Sequence, residues 1–276
     1  MTISEALNKA TKKLSQGTSP ALDAEVLLSH LLDRPKEYLH INSDKQLSSK
    51  IEKQYFELVA RRNSGWPVAY IRNNKEFFGL EFYVDKNVLI PRPETEELVG
   101  SIIDALKDKS GLNILDIGTG SGCIIISLAK NLARNNQYFA SDISQPALRI
   151  AKKNTTNHKV KVSFKQSDLL TNWKNQRFNV IVANLPYLTK RTHASTKFEP
   201  TNALIAANKG LSLFEKLFKQ IPSLKPLPST LFLEIGHDQS ESIKKLAAKL
   251  LPAYETKISK DLSGRVRFAS LVKKSV

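Results

Sequence analysis

The chain has 276 residues and a formal net charge of +16, with 42 Lys and Arg against 26 Asp and Glu. Hydrophobic residues at 41 % and charged residues at 25 % are ordinary for a folded chain and exclude a disordered, collagen-like or disulfide-rich one. A single cysteine, Cys123, excludes an intramolecular disulfide and a cysteine-based zinc site, and no apolar run approaches the roughly 18 residues a bilayer span requires.

The opening residues Met1–Leu7 show no basic segment followed by a long apolar core, so no signal peptide is read there and a cytoplasmic protein is expected. Residues 2–63 predict helices. Ser19-Pro20 reads as an N-cap with proline at the first helical position, followed by Leu22, Val26, Leu27 and Leu31 at helical spacing. Ser48 opens another helix that carries Ile51, Tyr55, Leu58 and Val59 on one side and stops at Asn63-Ser64-Gly65. Glu76-Phe77-Phe78 and Glu81-Phe82-Tyr83-Val84 flank Gly79-Leu80 as a candidate hairpin, and Glu94 to Leu106 predicts a helix with acidic residues in its first turn.

From residue 112 the pattern alternates. Apolar runs at 112–117, 137–141, 160–164, 178–183 and 230–235 predict buried strands, with helices at 121–134, 145–154, 210–220 and 238–250 among them. Tyr254–Ile258 and Val266–Val272 supply two closing strands. Strands alternating with helices imply an α/β fold: a mostly parallel sheet with helices on both faces. Charge is uneven along this course. Residues 145–200 hold 11 basic side chains, Lys174 and Arg191 among them, against only Asp168 and Glu199, an excess that attracts a polyanion or an acidic partner.

The first strand of that series runs into Asp116-Ile117-Gly118-Thr119-Gly120-Ser121-Gly122 and then a helix. Glycines let a ligand approach the backbone, and the helix start offers free N–H groups. The spacing is neither the dinucleotide fingerprint nor a phosphate-gripping loop. Asp142 ends the next strand, where a carboxylate can accept both hydroxyls of a ribose, and Asp168 follows the third strand, placed to meet an adenine amino group. Asp116 is read as ordering the glycine turn. These three elements in order resemble the class I S-adenosylmethionine-dependent methyltransferases.

Val180-Ile181-Val182-Ala183-Asn184-Leu185-Pro186-Tyr187 is an apolar strand that ends in a polar motif. An amide or aryl amine is a poor nucleophile because its nitrogen lone pair is delocalised. Hydrogen bonds from its N–H groups to the Asn184 side-chain oxygen and to a backbone carbonyl would hold it with the lone pair facing a methyl donor. Pro186 biases Leu185 to an extended backbone, and Tyr187 offers a flat wall to a planar group. The motif narrows the acceptor to a planar nitrogen: adenine, cytosine or a glutamine amide.

Val88-Leu89-Ile90-Pro91-Arg92-Pro93-Glu94-Thr95, Gly65-Trp66-Pro67, Glu234-Ile235-Gly236 and Asp261-Leu262-Ser263-Gly264-Arg265 extend the resemblance over nearly the whole chain. They are similar to the PrmC/HemK family of peptide chain release factor glutamine methyltransferases. The resemblance implies a seven-stranded class I (Rossmann-like) methyltransferase domain at 91–276, a β-hairpin linker at 75–90 and a helical substrate-docking domain at 1–74. It implies S-adenosylmethionine as methyl donor, bound by Gly118, Thr119, Gly120, Ser121, Gly122, Asp142, Asp168, Leu169 and Asn184. Asn184, Leu185, Pro186 and Tyr187 would meet the glutamine of the Gly-Gly-Gln motif, with Asn184, Pro186 and Tyr187 as the catalytic set. Arg92 and Glu94 would order the loop at the mouth. The partners implied are release factors, with ribosome or RNA contact through the basic surface, no membrane, and a monomeric enzyme.

This chain departs from the family at Leu185, where proline is usual, and at Leu169, where an aromatic residue often packs on adenine. Ala206-Ala207-Asn208 also stands where a glycine pair is expected before Gly210-Leu211. Asn-Leu-Pro-Tyr is similar to the motif of ribosomal RNA adenine dimethyltransferases, which keeps methylation of an adenine amino group in RNA or DNA as the alternative. His30, His40, His158, His193 and His237 fit no ligand spacing, so no metal is expected.

Overall fold

A computed structural model describes residues 1–14, 19–173, 175–190 and 194–275; Lys174, Arg191 and His193 lie outside the described residues. The chain forms two units. The first runs to Asn74 and includes Phe198 with the residues just before it; the second holds the remainder from Lys75.

The first unit contains α1 (Ile3–Lys13), α2 (Pro20–Leu32), α3 (Lys36–Ile41), α4 (Ser49–Asn63) and α5 (Val68–Arg72). Thr2 and Glu5 close a reciprocal capping box on α1. Ser48 caps α4 as the sequence predicts, whereas Ser19 makes no side-chain cap bond and the start of α2 is set by Pro20. The helical periodicity delivers Leu27, Leu28, Leu39, Tyr55 and Val59 to one core. The buried Tyr55 hydroxyl is satisfied by donating to the Ala24 carbonyl at 3.0 Å.

The second unit begins with a hairpin, β1 (Lys75–Phe77) and β2 (Leu80–Phe82). Its two-residue turn is Phe78-Gly79, one place earlier than the sequence suggests, with φ of 52° and 68°. Both residues must be left-handed for the turn to match strand twist. Then follow α6 (Pro93–Leu106), β3 (Asn113–Ile117), α7 (Cys123–Asn131), β4 (Gln137–Asp142), α8 (Gln145–His158), β5 (Ser163–Gln166), β6 (Val180–Asn184), α9 (Ser212–Gln220), β7 (Thr230–Glu234), α10 (Ser240–Leu250), β8 (Tyr254–Lys260) and β9 (Val266–Lys273). β5 starts later than its apolar run because Lys159 turns left-handed and the Val160 amide bonds back to Thr155, ending α8. Among the described residues no helix is long and apolar enough to cross a membrane.

Seven strands form one sheet in the order β5-β4-β3-β6-β7-β9-β8. Five are parallel, and β9 runs antiparallel to both β7 and β8. The mostly parallel seven-stranded sheet expected from the sequence is what forms. Alternate residues serve opposite faces: Leu115, Ile117, Ile181, Ala183, Leu231 and Leu233 pack with Phe214, Leu217 and Phe218 of α9 and Ile243 of α10. The strand order reverses between β3 and β6, so the loops leaving their carboxyl ends diverge and open a crevice there.

Candidate active site

The glycine loop leaves β3 and the Asn-Leu-Pro-Tyr segment leaves β6. Because Ile117 pairs with Ala183, these two exits stand side by side at the switch point. One cleft is lined there by the glycine loop from Gly118 to Ser121, by Asp142, Asp168 and Leu169, and by Asn184, Leu185 and Pro186. The structure thus brings the sequence-predicted residues together, with two exceptions. Gly122 lies at the start of α7 behind the loop, and the Tyr187 ring packs against the core instead of walling the cleft.

Gly118, Gly120 and Gly122 have φ of 72°, 55° and 82°. The loop folds back over β4, with the Gly118 and Thr119 amides donating to the Ser141 carbonyl at 2.8 and 3.0 Å. At Gly122 a Cβ would stand 3.1 Å from Ile126 Cδ1 and 3.3 Å from Ala151 Cβ, so glycine also permits the close approach of α8. Thr119 donates to Asp116 Oδ2 at 2.6 Å, which gives Asp116 the turn-ordering role expected of it. Complete burial pushes the Asp116 carboxyl up to about 7, against the lowering effect of the Thr119 bond.

Asp142 accepts from the Gly120 amide at 3.0 Å and from the Ser144 amide at 2.8 Å, one on each carboxylate oxygen. Each oxygen keeps a lone pair for a further donor. Burial raises its pKa, and these amides oppose the rise. Asp168 lines the cleft from the other side, where Lys216 is its ion-pair partner. Leu169 is buried and left-handed at φ 54°.

The segment from Asn87 to Arg92 forms a further wall. Arg92 reaches both oxygens of the buried Glu199 at 2.8 Å and so ties this wall to the stretch that delivers Asn202 and Ala203 to the cleft. Glu94 sits in the first turn of α6 and does not line the cleft.

Asn184 is fixed from behind. Its Nδ2 donates to Glu234 Oε2 at 2.9 Å and to Thr95 Oγ1 at 3.2 Å, while Thr95 donates to the same carboxylate oxygen at 2.6 Å. The other oxygen, Oε1, accepts the Tyr187 hydroxyl at 3.1 Å, and Arg267 donates to that hydroxyl at 3.3 Å. Glu234 and Thr95 have no assigned role in the sequence reading. The available signal was a glutamate closing an apolar strand, Leu231-Phe232-Leu233-Glu234; the parallel register of β6 and β7 sets it directly beside Asn184.

Behind the motif, Asn208, Lys209 and Gly210 are left-handed in succession at φ 52°, 52° and 79°. A non-glycine residue pays roughly 1–2 kcal/mol for that conformation. The exposed Lys209 is expected to tolerate Lys209→Gly with a gain of about 1 kcal/mol, net of glycine's greater unfolded-state entropy, read as a higher midpoint in urea.

Residues 5–72 match the family model of the PrmC N-terminal domain, and residues 99–211 match that of the methyltransferase small domain. Over 274 residues the chain is 36 % identical to the release factor glutamine methyltransferase of Francisella tularensis subsp. tularensis, which spans 97 % of this chain and 96 % of that protein. Over 255 residues it is 35 % identical to the release factor glutamine methyltransferase of Koribacter versatilis, spanning 89 % and 90 % respectively. Among solved structures, a methyltransferase from Pyrococcus furiosus superposes with a TM-score of 0.55 at 19 % identity, over 79 % of this chain and 98 % of that one, a likeness of fold.

Proposed function

The chain belongs to the release factor glutamine methyltransferase family and is an enzyme of that class, and from that premise we propose that it methylates the glutamine of the Gly-Gly-Gln motif with S-adenosylmethionine. The observation that carries this reading is the single cleft that holds the glycine loop, Asp142 and the Asn184-Leu185-Pro186 segment together.

The residues fit the donor. A Cβ at Gly120 would meet nothing within 4 Å, so the bare backbone beside the cleft is a cradle that any side chain would begin to fill. Asp142 offers one lone pair on each oxygen to the two ribose hydroxyls. Asp168 can accept from the adenine amino group in exchange for Lys216, an exposed pair of small worth. Leu169 supplies an aliphatic surface for the ring. When bound, the donor supplies an electrophilic methyl on a cationic sulfur.

The protein's part is to hold an amide still. The Asn184 Oδ1 and the Leu185 carbonyl accept the two N–H groups of the glutamine, which directs the nitrogen lone pair along the transfer path. A leucine carbonyl serves as well as a proline one. The new C–N bond forms as the C–S bond breaks, and the electron pair of that bond leaves with sulfur. The nitrogen, now positively charged, gives up a proton to water, so no strong base is needed. Tyr187 supports this set from the core side.

The helical unit of residues 1–74 is proposed to dock the release factor, and the basic residues of 145–200 to meet its acidic surface or ribosomal RNA. The enzyme is further proposed to act as a monomer in the cytoplasm.

Intact-mass analysis of a purified release factor incubated with the enzyme and S-adenosylmethionine tests this reading. One added methyl is expected, and none when the Gly-Gly-Gln glutamine is replaced. No gain despite demonstrated donor binding would overturn it and direct the search to ribosomal RNA.

A further inference from the structure

The acceptor motif works only if Asn184 presents its oxygen to the cleft. A carboxamide is nearly symmetric in shape, so the backbone and packing do not decide which end faces forward; hydrogen-bond partners do. Behind Asn184 stand two groups with nothing left to give. The Thr95 hydroxyl spends its one proton on Glu234 Oε2 at 2.6 Å, and the carboxylate is an acceptor on both oxygens. Both can receive the Asn184 N–H groups, at 3.2 and 2.9 Å, and neither can donate to Oδ1 if the amide turns over. A flipped Asn184 would set its oxygen against an oxygen of the buried Glu234 carboxylate.

Glu234 is 2 % exposed. A buried carboxylate is expensive and is normally retained only when its lone pairs are filled. Here Thr95, Asn184 and Tyr187 fill them; burial raises the Glu234 pKa, and the Thr95 and Tyr187 bonds and the Arg267 charge oppose the rise and favour the carboxylate. The arrangement extends outward, since Arg267 is also held by the buried Asp261 at 3.4 Å. The cost of burying Glu234 is therefore met around one geometry, and that geometry has Asn184 facing forward.

We propose that Glu234, assisted by Thr95, is the positioning residue that locks the Asn184 amide with its oxygen toward the acceptor nitrogen and holds a negative charge behind it. The charge adds to the effect of orientation. It polarises the Asn184 amide, so Oδ1 accepts more strongly as the acceptor nitrogen gains positive charge during transfer. The lock also sets acceptor class: a site built from accepting oxygens alone selects a group with two N–H donors and rejects a hydroxyl or a carboxylate.

This inference rests on the glutamine reading, and the test separates the two. Wild-type, Glu234→Gln, Thr95→Val and Thr95→Ser proteins are compared for kcat on a release factor, for donor Kd and for unfolding midpoint. Glu234→Gln keeps the shape, removes the charge and adds a donor that stabilises the flipped amide. It is expected to lose kcat by about 10–100-fold in the folded enzyme, with donor Kd changed less than about threefold; the midpoint is expected to fall, because the donors onto Glu234 and the Arg267 charge lose their buried partner. Thr95→Ser, which keeps the hydroxyl, should restore most of the activity that Thr95→Val loses. A group serving only to stabilise the fold would show the lower midpoint with kcat of the folded enzyme preserved. Retention of wild-type kcat by Glu234→Gln, or equal activity of the two Thr95 variants, overturns the role. A loss of kcat that follows donor Kd or the folded fraction overturns it equally. Wild-type protein that puts no methyl on the glutamine overturns the functional reading, and this inference falls with it.

Discussion

Asn184→Ala is expected to lower kcat for glutamine methylation by about 10²–10³-fold, the cost of removing one preorganised hydrogen-bonding group from a reacting centre. The amide it holds has two N–H groups, and alanine leaves only the Leu185 carbonyl to accept one of them. The glutamine can then rotate, and its lone pair no longer points along the transfer path for more than a small fraction of the time. Donor affinity should fall by no more than about tenfold, since one hydrogen bond is worth roughly 0.5–1.5 kcal/mol. Stability should change little, because Thr95 and Tyr187 still donate to Glu234 after the asparagine amide is gone. Single-turnover methylation and calorimetric donor binding on the same preparation read both quantities. A variant that kept more than a tenth of wild-type kcat would remove Asn184 from the reacting centre.

The contrast between Asn184 and its partners shows what the sequence makes legible. Asn184 stands out locally, as a polar residue at the end of Val180-Ile181-Val182-Ala183. The strands themselves are legible for a related reason: parallel strands buried on both faces read as largely apolar runs, and β6 and β7 appear as such, as do β3, broken by the buried Asp116, and the centre of β4 at Tyr138-Phe139-Ala140. Glu234 and Thr95 carry no local mark that ties them to Asn184. They stand 50 and 89 residues away from it, and only the pairing of β6 with β7 joins the first of them to it. The surroundings of Tyr187 are hidden in the sequence for a related reason. Its ring suits a cleft wall, but its hydroxyl finds Glu234 and Arg267, and a half-buried phenol turns toward such partners. Asp168 reaches the cleft as expected, while its pairing with Lys216 of α9 could not be seen without the sheet order. Element ends are less legible than element interiors. The start of β5 and the turn between β1 and β2 are both set by left-handed residues, Lys159 and Phe78, that local composition does not mark.

Gly210→Ala is expected to cost about 3 kcal/mol or more, a drop of roughly 6–12 °C in the unfolding midpoint, and to damage the acceptor motif as it does so. A Cβ at Gly210 would lie 1.9 Å from the Tyr187 carbonyl oxygen, 2.7 Å from its carbon and 2.6 Å from Gln239 Nε2. Gln239 can shift, but the carbonyl is main chain of the residue that closes Asn-Leu-Pro-Tyr, so relief must come from moving that segment or the 206–211 loop. The loop has little slack. Gly210 is at φ 79°, the Lys209 carbonyl is held by Gln239 at 3.0 Å, and the Ala206 amide and Leu188 carbonyl are joined at 2.9 Å. The same substitution at Gly100, within α6, meets nothing within 4 Å and is expected to raise stability by about 0.5–1 kcal/mol through helix propensity. Paired denaturation curves for the two variants test whether steric crowding at Gly210, and not glycine replacement in general, is responsible. In folded Gly210→Ala protein, glutamine methylation should fall further than donor affinity, because the displaced atoms lie on the acceptor side of the cleft and the glycine loop after β3 is untouched. Equal losses in both would mean that the displacement spreads through β6 to the donor loop, which Leu185 already touches: a Cβ at Gly118 would sit 3.3 Å from Leu185 Cδ2.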